Sequence, residues 1–267
     1  RGERPVIEQS WVVSGTSLGT VVVLMVATAL WSRAVGRVSV VDVTWGSAFV
    51  VVAVVCALIA APGSTEGRSW LLAGLTAVWG LRLAWHILER SHGAGEDPRY
   101  AEMLGDGGFG AAVRRVFLVQ GLAIWIISLP LQAAAVAPVW AWWLVGLGVV
   151  VWAVGLFFEV VGDAQLAAYR KQPRESRRPV MDQGLWGWTR HPNYFGDACV
   201  WWGLWLAGGL ASGLLPGLLT IVAPIAMTYF IRNVTGAKLL EETMSQRPGW
   251  DEYAARVPLF VPRPPRR

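Results

Sequence analysis

Charge is scarce in this chain: 15% of its residues are Asp, Glu, Lys or Arg, against about 25% in a soluble domain. Only two cysteines occur in 267 residues. Cys56 and Cys199 both fall in apolar runs without a CxxC partner or neighbouring histidines, which argues against a disulfide framework or zinc site and reads both as small buried hydrophobes. No GxGxxG follows a strand pattern and no Walker loop occurs, so neither a Rossmann domain nor an ATPase is implied. Long polar stretches are missing too, which leaves no room for a separate soluble domain. A net charge of +5 invites a nucleic-acid reading, but no recognition motif accompanies it. The segment Arg1 to Gln9 is charged and shows no small-residue cleavage site behind a short apolar core, so no cleaved signal peptide is expected.

Apolar residues fill the space that charge leaves, at 54% of the chain with 17 Trp. Runs near the ~20 residues a bilayer requires cover Trp11–Trp31, Val38–Ala61, Trp70–Leu88, Val116–Val136, Val139–Val161, Ala198–Leu210 and Leu218–Ile231. Pro130 and Pro224 are expected to kink their helices. The fold class is therefore all-α, a seven-helix polytopic membrane protein forming a single membrane-embedded domain over 1–267. Arg33, Arg37, Arg90, Arg99, Arg114, Arg115, the dense 170–190 loop, Lys238 and the basic C-terminal tail through Arg266 and Arg267 fall on one side of such a bundle. Only Arg1, Arg4 and Arg68 fall on the other, which places the N-terminus outside and the C-terminus in the cytoplasm. Trp140, Trp142, Trp143, Trp201 and Trp202 are read as interfacial belt and packing.

The polar mass lies on the cytoplasmic side. The run Leu185 to Asp197 packs Arg190, His191, Asn193, Tyr194 and Asp197 at the mouth of an apolar, Trp-rich segment. Such a cluster costs several kcal/mol per unpaired group in hydrocarbon unless it binds something. Glu159, Asp163 and Arg170 share one helical face at the end of the fifth run. Arg232, Asn233, Lys238, Glu241 and Glu242 follow the seventh. Arginine forks suit phosphates, carboxylates suit ribose hydroxyls, and His191 and Asn193 suit an amide. Together they imply a nucleotide-type cofactor entering from the cytoplasm, with the cofactor half at roughly 139–262.

The Leu185–Asp197 stretch resembles the C-terminal signature of the steroid 5-alpha-reductase-like membrane reductases, within a bacterial branch known only as a domain of unknown function, DUF1295. Val41–Gly46, Glu96–Tyr100 and Arg247–Tyr253 with Phe260–Pro262 carry the same resemblance, so it spans nearly the whole chain. It implies an NADPH-dependent enzyme of the cell membrane, similar to a 3-oxo-5-alpha-steroid 4-dehydrogenase. Such an enzyme transfers hydride to an activated C=C bond of a steroid or other lipid. The implied cofactor-binding residues are Arg90, Glu159, Asp163, Arg170, Arg190, His191, Asn193, Tyr194, Asp197, Asn233 and Glu241. Where the steroid reductases carry a catalytic tyrosine, this chain has Ile87. His86 and Tyr100 are the alternative proton donors, and Asp42 stands in for the family's catalytic glutamate.

The expected partners are a lipid or steroid substrate entering from the bilayer and the membrane lipids, with the chain as a monomer and no nucleic acid or metal. One competing reading is an S-adenosylmethionine-dependent methyltransferase of the isoprenylcysteine or phospholipid type, which shares the Arg-His-Pro-x-Tyr-x-Gly pattern and a Glu241–Glu242 pair. Another is a non-catalytic lipid-binding scaffold.

Overall fold

The computed structural model describes residues 6–60, 64–234 and 237–265, apart from the side chains of residues 64, 234, 238 and 239. Arg1, Arg4, Ala61, Arg266, Arg267 and the Lys238 side chain, used in the charge count and span boundaries above, lie outside the described residues.

Regular structure among the described residues is helical throughout. The first three apolar runs are α1 (Val6–Val35), α2 (Val40–Leu58) and α3 (Ser64–Ser91). After the short α4 (Pro98–Leu104), the fourth run divides. There α5 (Gly108–Ala112) passes through a π-helical turn at Val113–Phe117 into α6 (Leu118–Ile127), and α7 (Leu129–Val136) restarts with Pro130 in its first turn. Proline is tolerated there because the first amides of a helix lack partners anyway. The fifth run is α8 (Trp142–Lys171), followed by α9 (Pro192–Gly208), α10 (Leu214–Thr220), α11 (Val222–Tyr229), a π-helical turn at Phe230–Val234, α12 (Ala237–Met244) and α13 (Trp250–Arg256).

Among the described residues, six stretches are long and apolar enough to cross a membrane: Val6–Val35, Val40–Leu58, Thr65–Ser91, Gly108–Ile127, Trp142–Lys171 and Leu214–Asn233. The chain is a multi-pass membrane protein. The run expected from Ala198 lies in α9, which has 17 residues and opens on the polar motif itself. Exposed Val22, Val23, Val26 and Leu30 on α1 present an apolar surface that only hydrocarbon covers favourably.

The residues group into two compact units, which we describe separately. The first comprises the chain up to Val145 with Trp205–Ala223. Here α2 and α3 cross antiparallel at Gly46 and Gly80, where a Cβ on either glycine would overlap the other's carbonyl oxygen. That approach buries Phe49 and Trp79 completely, their rings edge to face at 5.9 Å. Arg68 is also fully buried, although the sequence placed it among the outer-face charges. Its Nη2 donates to the carbonyls of Ala134 (3.0 Å) and Ala137 (2.6 Å), so it clamps the C-terminus of α7, where a cation meets the negative end of the helix dipole. The N-terminus of α2 is closed by Glu96, whose carboxylate accepts the Val38, Ser39 and Asp97 amides.

The second unit comprises Gly146–Leu204 and the chain from Pro224. Its seam is a glycine heptad: Gly148, Gly155 and Gly162 on α8 face Gly203, Gly196 and Pro192 on α9. A Cβ at Gly155 or Gly196 would meet backbone of the opposite helix, so only glycine allows this spacing. The C-terminal segment is laced onto the loop before α9. Arg190 N donates to Pro258 O at 2.9 Å, Arg263 N to Trp188 O at 2.9 Å, and the Thr189 hydroxyl to Phe260 O at 2.9 Å. Trp250, Tyr253, Val257 and Val180 form a small core beneath this strap.

Two outcomes follow from these contacts. Gly196→Ala should lower the thermal midpoint in detergent by several degrees, since overpacking costs about 1–3 kcal/mol. Gly146→Ala, with open space around it, should leave the midpoint unchanged or raise it slightly. Burial opposes the Glu96 charge, but the Val38, Ser39 and Asp97 donors outweigh it and hold the carboxyl below its ordinary value of 4.5. A depressed carboxyl stabilises the fold above that value and loses its contribution as pH falls through the lowered one. Glu96→Gln should therefore unfold more easily than wild type at pH 7, with the difference closing in acid below pH 4.5.

Candidate functional site

In the first unit, polar side chains converge on the first turn of α2. Asp97 caps α4, accepting the Arg99 amide at 2.9 Å, and the Arg99 guanidinium folds back onto the same carboxylate at 2.8 and 3.0 Å. A second reach of that guanidinium meets Asp42 Oδ2 at 3.3 Å. The next residue, Tyr100, donates its hydroxyl to Asp42 Oδ1 at 2.5 Å, and Gln120 on α6 donates its amide to the Tyr100 oxygen at 3.1 Å. Burial raises the Tyr100 ionisation well above the ordinary phenol, and the Asp42 charge raises it further. The group therefore keeps its proton at neutral pH and can donate it. The Asp97 carboxyl is held below its usual range, first by the Arg99 hydrogen bond. Arg90 is exposed at the end of α3 and near enough to lower Asp97 slightly. His86 is half-buried further back on α3. Of the two candidate proton donors, Tyr100 is the one with the short hydrogen bond to Asp42.

In the second unit the residues meet around the start of α9. Asn193 donates its amide to Asp163 Oδ1 at 3.1 Å, and its own Oδ1 accepts the Tyr194 amide at 3.1 Å. The His191 and Tyr194 rings stack at 5.5 Å, 15° from parallel. His191 Nε2 is 3.2 Å from Glu241 Oε1. Glu159 and Asp197 are buried, and Glu159 owes its position to the glycine seam, where Gly196 packs on its backbone. Arg170 and Asn233 stand exposed, the latter donating back to Tyr229 O within its own turn.

Arg190, a residue type suited to phosphate, turns its donors into the fold. Its Nε and Nη2 form a fork on Glu241 at 2.6 and 3.0 Å, and Nη1 donates to Ala254 O and Val257 O, both at 2.9 Å. Four of its five N–H groups are thus committed inside the fold. Burial would raise the Glu241 carboxyl, but the His191 and Arg190 hydrogen bonds prevail and lower it.

Sequence reasoning did not assign roles to Glu96, Asp97, Arg99 or Gln120. Gln120 was readable as one of two amides, with Gln132, inside the apolar run Val116–Val136, the kind of residue that marks function in a membrane helix. The Glu96 and Arg99 roles depend on residues more than fifty positions away.

Residues 28–257 match the family described as "Protein of unknown function (DUF1295)". A relative among characterised proteins is Delta(14)-sterol reductase TM7SF2 of Mus musculus, 29% identical over 102 residues. That alignment covers 37% of this chain and 22% of the reductase, so the chain matches about a fifth of that relative's length. No solved structure matches. With the family match covering most of its length, this chain belongs to the DUF1295 family of proteins of unknown function.

Proposed function

We propose that this protein is an integral-membrane reductase that uses NADPH to reduce an activated C=C bond of a steroid or other lipid entering from the bilayer. The observation that carries this reading is the 2.5 Å hydrogen bond between Tyr100 and Asp42, backed by Arg99, at the end of a membrane helix. Similarity to a sterol reductase supports the reaction class. Adding hydride to an enone leaves charge on oxygen or carbon that a positioned acid must quench, and a protonated phenol held by a carboxylate suits that task. Tyr100 gives the proton, and Asp42 and Arg99 fix its hydroxyl.

The second unit supplies the donor set for a dinucleotide. Asn193 and Asp163 suit the carboxamide and ribose hydroxyls, and the His191–Tyr194 stack gives a flat face. Arg190 is tied to Glu241, so it shapes the loop, and the phosphate charge falls to the exposed Arg170. When bound, NADPH provides the hydride.

Purified protein in detergent should gain about 5–10 °C in thermal midpoint at saturating NADPH, since a ligand at 100 Kd adds about 2.7 kcal/mol. Stabilisation by S-adenosylmethionine without any by NADPH would favour the methyltransferase reading, and no shift with either would favour the scaffold. Asn193→Ala should weaken the NADPH shift. Tyr100→Phe and Asp42→Asn should keep it while lowering reduction of a 4-ene-3-oxo steroid, followed by NADPH absorbance, about 10²–10⁴-fold.

A further inference from the structure

Tyr100 has one proton and two lone pairs, and the structure specifies where the proton and one of the lone pairs go. The proton points to Asp42, so the amide facing the same oxygen has to present N–H rather than C=O, which fixes the orientation of Gln120. The other end of that amide, Oε1, is buried and makes no hydrogen bond among the described residues. A methionine or leucine would fill the same space without an orphaned acceptor, so packing alone does not account for an amide here. The π-helical turn Val113–Phe117 ends three residues earlier, and such a turn re-aims the side chains that follow it.

We propose that Gln120 is the positioning residue of the Asp42–Tyr100 pair: its amide N–H holds the phenol oxygen and stabilises the negative charge left when the proton departs. The inference rests on the reductase reading of this site. In the step, the Tyr100 hydroxyl turns from Asp42 to the lipid and its O–H bond breaks with the electron pair left on the phenol oxygen; the proton bonds through the pair freed as the lipid's C=C π bond opens, and the hydride that opens it is what NADPH would supply when bound. The phenolate keeps the Gln120 amide as a donor at 3.1 Å, and the Arg99 guanidinium, 5.9 Å from the ring centre, adds a positive charge nearby. Asp42, its side chain 24% exposed, then takes a proton from water and returns it to Tyr100. Without Gln120 the phenol would lose its nearest neutral donor and hold its proton more tightly.

The test needs no knowledge of the natural lipid. A fluorinated tyrosine, more acidic than tyrosine, is placed at position 100 and its ionisation followed by ultraviolet absorbance in the full-length protein. Gln120→Met should raise the midpoint by about one pH unit, a tenfold change in ionisation constant, and lower turnover of the 4-ene-3-oxo steroid probe by a similar factor, with KM and the NADPH thermal shift unchanged. Gln120→Glu keeps a donor only while protonated, so its turnover should approach wild type in acid and fall below Gln120→Met as pH rises. An unchanged midpoint in folded Gln120→Met, or a pH profile of Gln120→Glu that follows wild type, overturns the proposal. If Gln120→Met does not fold, the Gln120→Glu profile decides alone. Should Tyr100→Phe retain full turnover, the catalytic reading of the pair fails. Should Tyr100→Phe be inactive while Gln120→Met behaves as wild type, only the role of Gln120 fails.

Discussion

Asp42 stands half-buried in the first turn of a membrane helix, so donors from within the chain have to match its charge. Three features supply them. Glu96 fastens the loop before α4 to the open amides of α2, Asp97 caps α4 and holds the Arg99 fork, and the first turn of α4 then delivers Arg99 and Tyr100 to the two Asp42 oxygens. Each carboxylate in this series has a separate task, so the three are not interchangeable. Removing Glu96 would loosen the frame, whereas removing Asp42 would leave the frame and take away the acceptor that Tyr100 and Arg99 share.

The same requirement is met differently in the second unit. Glu241 is matched by the Arg190 fork and by His191, and the remaining Arg190 donors go to carbonyls at the end of α13. An arginine bound on both faces in this way acts as a fastener, and the strap of Pro258 to Arg263 completes it by closing over Thr189 and Trp188. The polar motif from Trp186 into the first turns of α9 therefore does two jobs. Its first half, Trp186 to Arg190, anchors the C-terminal segment, and its second half, His191 to Asp197, leaves an amide, a ring stack and carboxylates grouped around the helix entry.

Much of the helical plan was legible because apolar runs of spanning length are hard to mistake. The runs at Trp11–Trp31 and Val38–Ala61 reappear as α1 and α2 with small shifts at their ends. The fourth run departs from its expected form, dividing at Ser128 between α6 and α7. The apolar pattern of the fifth ends at Val161, and α8 continues to Lys171, as one helical face for Glu159, Asp163 and Arg170 requires, with Gly162 against the glycine seam and Gln165 on the loop at Leu185. The resemblance set Asp42 beside two alternatives, His86 and Tyr100, and it is Tyr100 whose hydroxyl donates to Asp42 at 2.5 Å. The commitment of Arg190 did not follow, because Glu241, Ala254 and Val257 lie fifty or more positions away and a short motif carries no record of them.

This contrast bears on how short polar motifs in membrane helices are interpreted. Arginine is the residue most readily assigned to phosphate, yet its five donors also make it the best fastener for a chain end that must lie against a membrane face. A tyrosine or an amide has fewer donors, so once one is spent on orientation, the geometry of the rest is narrowly set. That is why the Tyr100–Gln120 pair carries more information than the Arg190 fork. With the Tyr100 proton committed to Asp42, the Gln120 amide has one orientation that avoids a clash of acceptors, and that orientation points a donor at the oxygen where charge would appear.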